Sequence, residues 1–205
     1  MAELVAVCVV HELIDGFYHP SAIDKRPVDG PVRITELGPD CDEHVDKAHG
    51  GVDGAVYVYA QEDADFFGER LGREIPPGLL GDNLRTTGLD VTGARLGERW
   101  RIGDVLLEVR KPRTPCKNLS LRMGVDGFHA EFNRTGRVGA LCRVLETGAI
   151  RAGDEVVVEH RPDHSATLGD YVTGLSPAQA RSLLDADLAL VSAVRARAKR
   201  AASRG

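Results

Sequence analysis

Aromatic residues make up only 5% of this 205-residue sequence, with one tryptophan, and the 26 lysines and arginines are outnumbered by 31 aspartates and glutamates. A formal net charge of −5 argues against nucleic acid or an anionic membrane as a generic partner, because binding either surface needs a basic excess. A small anionic ligand in a local basic pocket stays open. No apolar run approaches the roughly 18 residues of a membrane span. The start, "MAELVAVCVVHELIDG", has no basic region ahead of its apolar stretch, which is interrupted at His11 and Glu12, so a cytoplasmic chain without a leader is expected. Cys8, Cys41, Cys116 and Cys142 lie far apart with no CxxC pair, which excludes a zinc site of the usual spacing and a disulfide framework.

What is abundant is glycine, at 23 residues, punctuating short runs rich in Val, Ile and Leu: "VAVCVV", "GPVRITELG", "GAVYVYA", "ERWRIGDVLLEVRKP", "RVGALCRVLETG" and "GDEVVVEHRP". Short runs at this spacing predict a mainly β fold, a barrel or strongly bent sheet, rather than alternating strands and helices. "RIGDVLLEV" and "RAGDEVVVE" each set Gly-Asp in a turn ahead of an apolar strand, two similar strand entries into one barrel. One peripheral helix is predicted in "YAQEDADFFGERLG", where Phe66, Phe67 and Leu71 share a face and Gly72 ends the element. Beyond residue 162 the pattern becomes helical. "SPAQARSLLDADLALVSAVRARAKR" opens with Ser176 as N-cap, Pro177 at the first position and Gln179 as capping-box partner, and ends on a basic turn. The reading is one long helix with Leu184, Leu188, Val191 and Val194 on its apolar face. The chain therefore divides into a β-barrel domain over 1–162 and a short helical appendage over 163–205.

Cys8 and Cys142 lie in apolar runs and read as packed small residues, and Cys41 in "GPDCDEH" has acidic neighbours that disfavour a thiolate. Cys116 differs. It follows a strand end in "KPRTPCKNLS", where Pro112 and Pro115 stiffen the loop and Lys111, Arg113 and Lys117 favour the thiolate, the form that attacks electrophiles and binds soft metals. A functional thiol and a loop cysteine with basic neighbours both fit these residues. In "KAHGGVDGAVYVY", His49 precedes two glycines and Asp53, which could orient its imidazole; a surface turn with a solvated histidine is the alternative. In "GLLGDNLRTTGLD", Asp82, Asn83, Arg85, Thr86 and Thr87 read as a polar clamp in a glycine-bounded loop, lacking the spacing of a P-loop or a dinucleotide fingerprint.

Taken in order, "SAIDKRPVDGPVRITELG", "HGGVDGAVYVY", "GLLGDNLRTTGL", "RIGDVLLEVRKPRTPC" and "GRVGALCRVLETGAIRAGDEVVVEHRP" resemble the MOSC domain, named after the C-terminal part of molybdenum cofactor sulfurase. The resemblance is to its stand-alone bacterial, YiiM-type branch of hydroxylaminopurine-resistance proteins, and runs from about residue 20 to 162. It implies a barrel whose cleft binds the molybdenum cofactor, with Cys116 as a ligand of molybdenum. It also implies reduction of N-hydroxylated substrates such as 6-hydroxylaminopurine, with electrons from an external reductase and no pyridoxal phosphate. His49 becomes the candidate proton donor, with Asp53, Asp24 or Asp46 as its acid. Lys25, Asn83, Arg85, Thr86 and Arg113 become candidate cofactor contacts. Two other readings stand beside it: a sulfur transferase carrying a persulfide on Cys116, which the lack of a fused pyridoxal-phosphate desulfurase domain counts against, and a non-enzymatic cofactor carrier. Ala140 and Cys142 stand where relatives carry bulky aromatics, implying an altered substrate pocket, and Cys41 stands where the pattern has glycine. The branch often ends in three helices, so the appendage reads as abbreviated, serving a homodimer contact or the docking of an electron donor.

Overall fold

A computed structural model describes residues 1–17, 19–42 and 50–204. Seven strands close into a barrel in the order β11 (Glu155–His160), β7 (Arg99–Ile102), β8 (Val105–Pro112), β9 (Ala140–Glu146), β5 (Val56–Ala60), β6 (Leu84–Thr87) and β1 (Ala2–Val10), with β1 returning to β11. The mainly β, barrel-type class read from the sequence is thus present. The closing register is Ala2 opposite Val156. Beyond a bulge between Leu4 and Ala6, β1 still pairs with β6 at Ala6 and Val7, and its last residues, Cys8 to Val10, pair with β2 (Lys25–Pro27), the bulge bending the strand along its length. All barrel pairings are antiparallel except β5 with β6, because helix α1 (Gln61–Leu71) carries the chain between them. A separate three-stranded sheet joins β3 (Val32–Thr35), β4 (Gly38–Pro39) and β10 (Gly148–Ile150).

β5 is buried on both faces, and its sequence VYVYA divides the molecule. Val56 and Val58 enter the barrel core with Leu4, Leu84, Trp100, Leu107 and Val109. Tyr57 and Tyr59, one residue out of phase, join Phe67, Leu119, Met123, Phe128 and Phe132 in a second cluster outside the barrel. The few aromatics are concentrated there: the Phe132 ring stacks on Tyr59 at 5.7 Å and on Phe67 at 5.1 Å between centroids. Two helices unread in the sequence, α2 (Lys117–Met123) and α3 (Phe128–Thr135), roof this cluster with α1. Gly72 ends α1 in the left-handed conformation, φ 62°.

The long C-terminal helix expected from 176 onward is two helices. Beyond α4 (Leu168–Thr173), α5 (Pro177–Asp185) begins with the expected Ser176–Gln179 capping box but stops, and α6 (Ser192–Ala202) starts afresh. Asp187, at φ 33°, turns the chain. A straight helix would place its apolar stripe on one line, whereas the break packs α5 against α6 and lets Leu183, Val194 and Ala198 all reach the barrel core. The helical part is therefore three helices rather than an abbreviated tail, and it shares its buried cluster with the strands.

At the junction, His164 is 2% exposed, its Nε2 donates to the Leu96 carbonyl at 2.8 Å, and its Nδ1 is buried with no partner. Burial lowers its pKa below the ordinary imidazole value of 6.5, the Leu96 bond opposes this, the Arg95 charge adds to it and Glu98 opposes it. The folded state thus keeps the ring neutral, and its contribution to stability is present above about pH 6.5 and lost as the pH falls below that value, where the unfolded chain takes up the proton first. His164→Gln should flatten the loss of urea-unfolding stability between about pH 7.5 and pH 5.5 relative to the parent; an identical acid limb in both proteins would count against this assignment.

Candidate functional site

β8 ends at Pro112 opposite Ala140, and the next amide, Arg113 N–H, still donates to the Gly139 carbonyl at 3.3 Å. Gly139 has φ 74°, and a Cβ there would lie 2.7 Å from the Val58 carbonyl oxygen, so only glycine brings the loop this close to β5. The loop then reaches Cys116, which is half-buried, outside any disulfide, and in extended conformation at the start of α2. Leu119 and Met123 anchor the inner face of α2 in the aromatic cluster, and Leu119 N–H donates to the Cys116 carbonyl at 3.0 Å. From outside, Asn118 Oδ1 accepts from Phe17 N–H at 2.7 Å, and Arg122 ion-pairs with Asp24, which is 1% exposed and also takes Arg26 at 3.0 Å. Cys116 thus stands on a short helix pinned both to the barrel and to the chain leading into β2.

The other cysteines match their sequence reading. Burial pushes the Cys8 thiol up to about 12 and raises that of Cys142. Cys41 is raised by local burial and then by the Asp40 charge.

Of the three cations around Cys116, Lys117 places its ammonium 4.3 Å over the Phe17 ring, and the Lys111 stem lies beside Gly54. Arg113 turns inward, its guanidinium 5.1 Å from the Tyr57 ring centroid and 5.9 Å from that of Phe132. Among the described residues its buried Nη1 has no hydrogen-bond partner, and neither does Nε of Arg122.

His49 and Asp46 lie outside the described residues. The glycines that follow His49 have positive φ, 93° at Gly50 and 72° at Gly51, and lead into a 3-10 turn, Val52–Gly54. Asp53 in that turn does what the sequence did not suggest: its Oδ1 accepts from Arg110 Nε at 2.8 Å and Arg143 Nη2 at 2.6 Å. Burial alone would raise its carboxyl; the two arginines bring it below the usual range. Its partners among the described residues are guanidinium groups, and Asp24 is likewise engaged by arginines, so neither aspartate is shown orienting an imidazole.

Arg85 and its neighbours correct the reading of 78–90 as a polar clamp in a loop. Leu84–Thr87 is barrel strand β6, and Arg85 is fully buried. Its five N–H groups go to Asp82 Oδ2 at 3.0 Å and Oδ1 at 3.2 Å, Gln61 Oε1 at 3.1 Å, and the carbonyls of Ile75 at 3.1 Å and Pro76 at 3.3 Å. No donor remains for a cofactor. Thr86 is fully buried with Oγ1 unpartnered. Asn83, just ahead of β6, staples β5 to β1: it accepts from Tyr57 N–H at 3.1 Å and donates to the Cys8 carbonyl at 3.2 Å, and it also donates to Asp42 at 2.8 Å. The Asp42 carboxylate, 1% exposed, also receives Lys25 Nζ at 2.5 Å and Val10 N–H at 2.9 Å. Burial lowers the Lys25 pKa, and Asp42 opposes the shift. Asn83, Asp42 and Lys25 together tie β1, β2 and β5 to the start of β6. The signal that could have shown this is the alternation of Leu84 with polar residues all lying in a strand buried on both faces, a pattern that sequence alone does not separate from a polar loop.

Residues 45–157, more than half of the chain, match the MOSC domain family. The chain belongs to this family. Over 138 residues it is 36% identical to Protein YiiM of Escherichia coli strain K12, covering 65% of this chain and 61% of that protein. It is 37% identical over 149 residues to a protein named Reductase from Gibberella moniliformis, covering 69% of this chain and 26% of the relative. These segments span less than two thirds of each relative's length. The YiiM crystal structure from Geobacillus stearothermophilus has the same fold, with a TM-score of 0.79, 24% identity and 98% coverage of both chains. The MOSC match takes in Asp53, Asn83, Arg85, Thr86, Arg113 and Cys116 but stops short of Lys25 and the C-terminal helices. No cluster of three or more His, Cys, Asp or Glu side chains that could hold a metal ion occurs among the described residues. Among the same residues no helix is long and apolar enough to cross a membrane.

Scaffold and site separate by substitution. Arg85→Ala leaves the buried Asp82 carboxylate without its partner and should lower unfolding stability by about 3–5 kcal/mol. Arg113→Ala, which removes no hydrogen-bonded partner, should change stability by roughly 1–2 kcal/mol through lost contact with the rings. Urea-unfolding midpoints compare the two, and equal losses would contradict the division.

Proposed function

We propose that this MOSC protein is a molybdenum-cofactor-dependent oxidoreductase that reduces N-hydroxylated compounds such as 6-hydroxylaminopurine, with Cys116 as thiolate ligand of the metal. The observation that carries the reading is the half-buried thiol at a pinned strand-to-helix corner whose segment also holds two buried, acceptorless guanidinium nitrogens, Arg113 Nη1 and Arg122 Nε. Buried cationic donors without an acceptor are unfavourable in themselves and favour a nearby anion, and a soft sulfur ligand suits a thiophilic metal. That donor set fits an anionic, phosphate-bearing dithiolene cofactor, with Cys116 and Arg113 as the residues that would hold it. Lys25 and Asn83 brace the strands and Arg85 the connection between α1 and β6, so they serve the framework rather than the cofactor. A relative named Reductase supports redox chemistry for the family, although its matched part is 26% of that protein.

When bound, the cofactor supplies the two-electron exchange. The chain would supply the rest: Cys116 would hold the metal through Sγ, Arg113 would hold the anionic part, and His49 would deliver the proton that the departing hydroxyl oxygen needs to leave as water. Reduction of an N-hydroxyl group to the amine and water takes up two electrons and two protons, and the electrons come from an external reductase.

Reconstitution with molybdenum cofactor and a chemical electron donor tests this. The parent should bind the cofactor and convert 6-hydroxylaminopurine to adenine, Cys116→Ala should lose cofactor retention, and His49→Ala should keep the cofactor while kcat falls about 10²-fold or more. Cofactor bound without turnover would favour carriage, and sulfur release from a Cys116 persulfide in its absence would favour sulfur transfer. Full cofactor retention by Cys116→Ala would remove the ligand assignment.

A further inference from the structure

The break between α5 and α6 has a partner inside the barrel wall. In residues 187–190 the chain turns tightly: Asp187 is the one non-glycine residue with positive φ among those described, and Leu190 N–H donates to the Leu188 carbonyl at 2.7 Å. Leu188 seats over Gly97, where a Cβ would lie 2.9 Å from its Cδ2. Ala189 is left with its carbonyl directed at Arg110, whose Nη2 donates to it.

Arg110 is 7% exposed and lies where the pairing of β8 with β9 slips between Val109 and Lys111, a bulge of the kind that re-aims a side chain. Its three nitrogens reach three separate elements: Nη2 the α5–α6 connection, Nη1 Glu108 Oε1 at 2.7 Å, and Nε Asp53 Oδ1 at 2.8 Å. A guanidinium is one rigid plane, so displacing one of these acceptors tilts the donors to the others. Asp53 in turn sits in the turn that closes the glycine pair after His49, with Gly54 N–H bonded to the Gly51 carbonyl at 3.0 Å.

We propose that Arg110 is a positioning residue through which the Ala189 carbonyl of the α5–α6 connection sets the geometry of the Gly50–Gly54 turn. The C-terminal helices are thereby tied to the turn that follows His49, the proton donor of the function proposed above. Their consequence for turnover rests on the function proposed above; the mechanical link does not.

Asp187→Pro tests the link from a distance, because proline cannot adopt the positive φ of this position, while Asp53, Arg110 and Arg143 keep their side chains. Native-state amide exchange of the full chain without cofactor should show Gly54 N–H exchanging about tenfold faster or more, with amides of the β5–β9 pairing unchanged. Asp187→Gly, which keeps φ, should exchange as the parent does. Gly54 exchange at the parental rate in Asp187→Pro, with residues 188–191 loosened, overturns the proposal. If Asp187→Pro loosens the whole barrel, Arg110→Met decides: local acceleration at Gly54 supports the link, and parental exchange there overturns it. In cofactor-loaded protein that turns over an N-hydroxylated substrate, Asp187→Pro should lower kcat with KM unchanged. An unaltered kcat beside a loosened Gly54 removes the functional half alone, whereas a parent that never turns over removes the proposed function and leaves the exchange result standing.

Discussion

β5 is the strand on which the rest of the molecule depends, because it has no solvent face. Its valines fill the barrel and its tyrosines form the floor on which α1, α2 and α3 lie. A strand polar on both faces could shift register at modest cost; here a one-residue slip would exchange valines for tyrosines in a closed core and is strongly disfavoured. The helix that begins at Cys116 rests on that floor through Leu119 and Met123, so the position of the thiol is fixed by a register set in another part of the chain.

Charge is handled in a consistent way around this strand. Buried carboxylates occur in closed sets, Asp82 with Arg85, Asp42 with Lys25 and Asn83, Glu98 with the Trp100 indole and the half-exposed Arg161. Such sets confer position more than net stability, since the desolvation of the ions offsets much of their attraction. The exceptions stand out against them. Nε of Arg122 and Nη1 of Arg113 lack acceptors in the segment that carries Cys116, and a third unpaired nitrogen, Nε of Arg143, belongs to the Asp53 clamp.

Much of the barrel was legible because strand runs and Gly-Asp turns are local signals. "RIGDVLLEV" gave a hairpin with Ile102 opposite Val105, and the capping box at Ser176 formed as written. The helices α2 and α3 were missed since neither is long enough to display a sustained apolar period. The Asp187 turn was missed because the residues from Leu184 to Val194 keep helical spacing; the break satisfies packing against Gly97 and the barrel, which no window of sequence contains.

For the site, the sequence by itself determined which chemistry is present: a thiol in a stiff cationic loop, a histidine ahead of two glycines, and motifs whose order marks the MOSC family. Residue type and local backbone restriction suffice for that, since prolines, glycines and charges act within a few residues. Only the tertiary structure decided which polar groups face a ligand and which serve as struts. Arg85, Asn83 and Lys25 are chemically indistinguishable from binding residues on paper, and their partners range from Asp82, close by in the chain, to Asp42 and Cys8, brought in by folding. Whether a guanidinium is saturated or left with a donor to spare is settled by the acceptors that folding brings to it, and those lie up to tens of residues away in the chain.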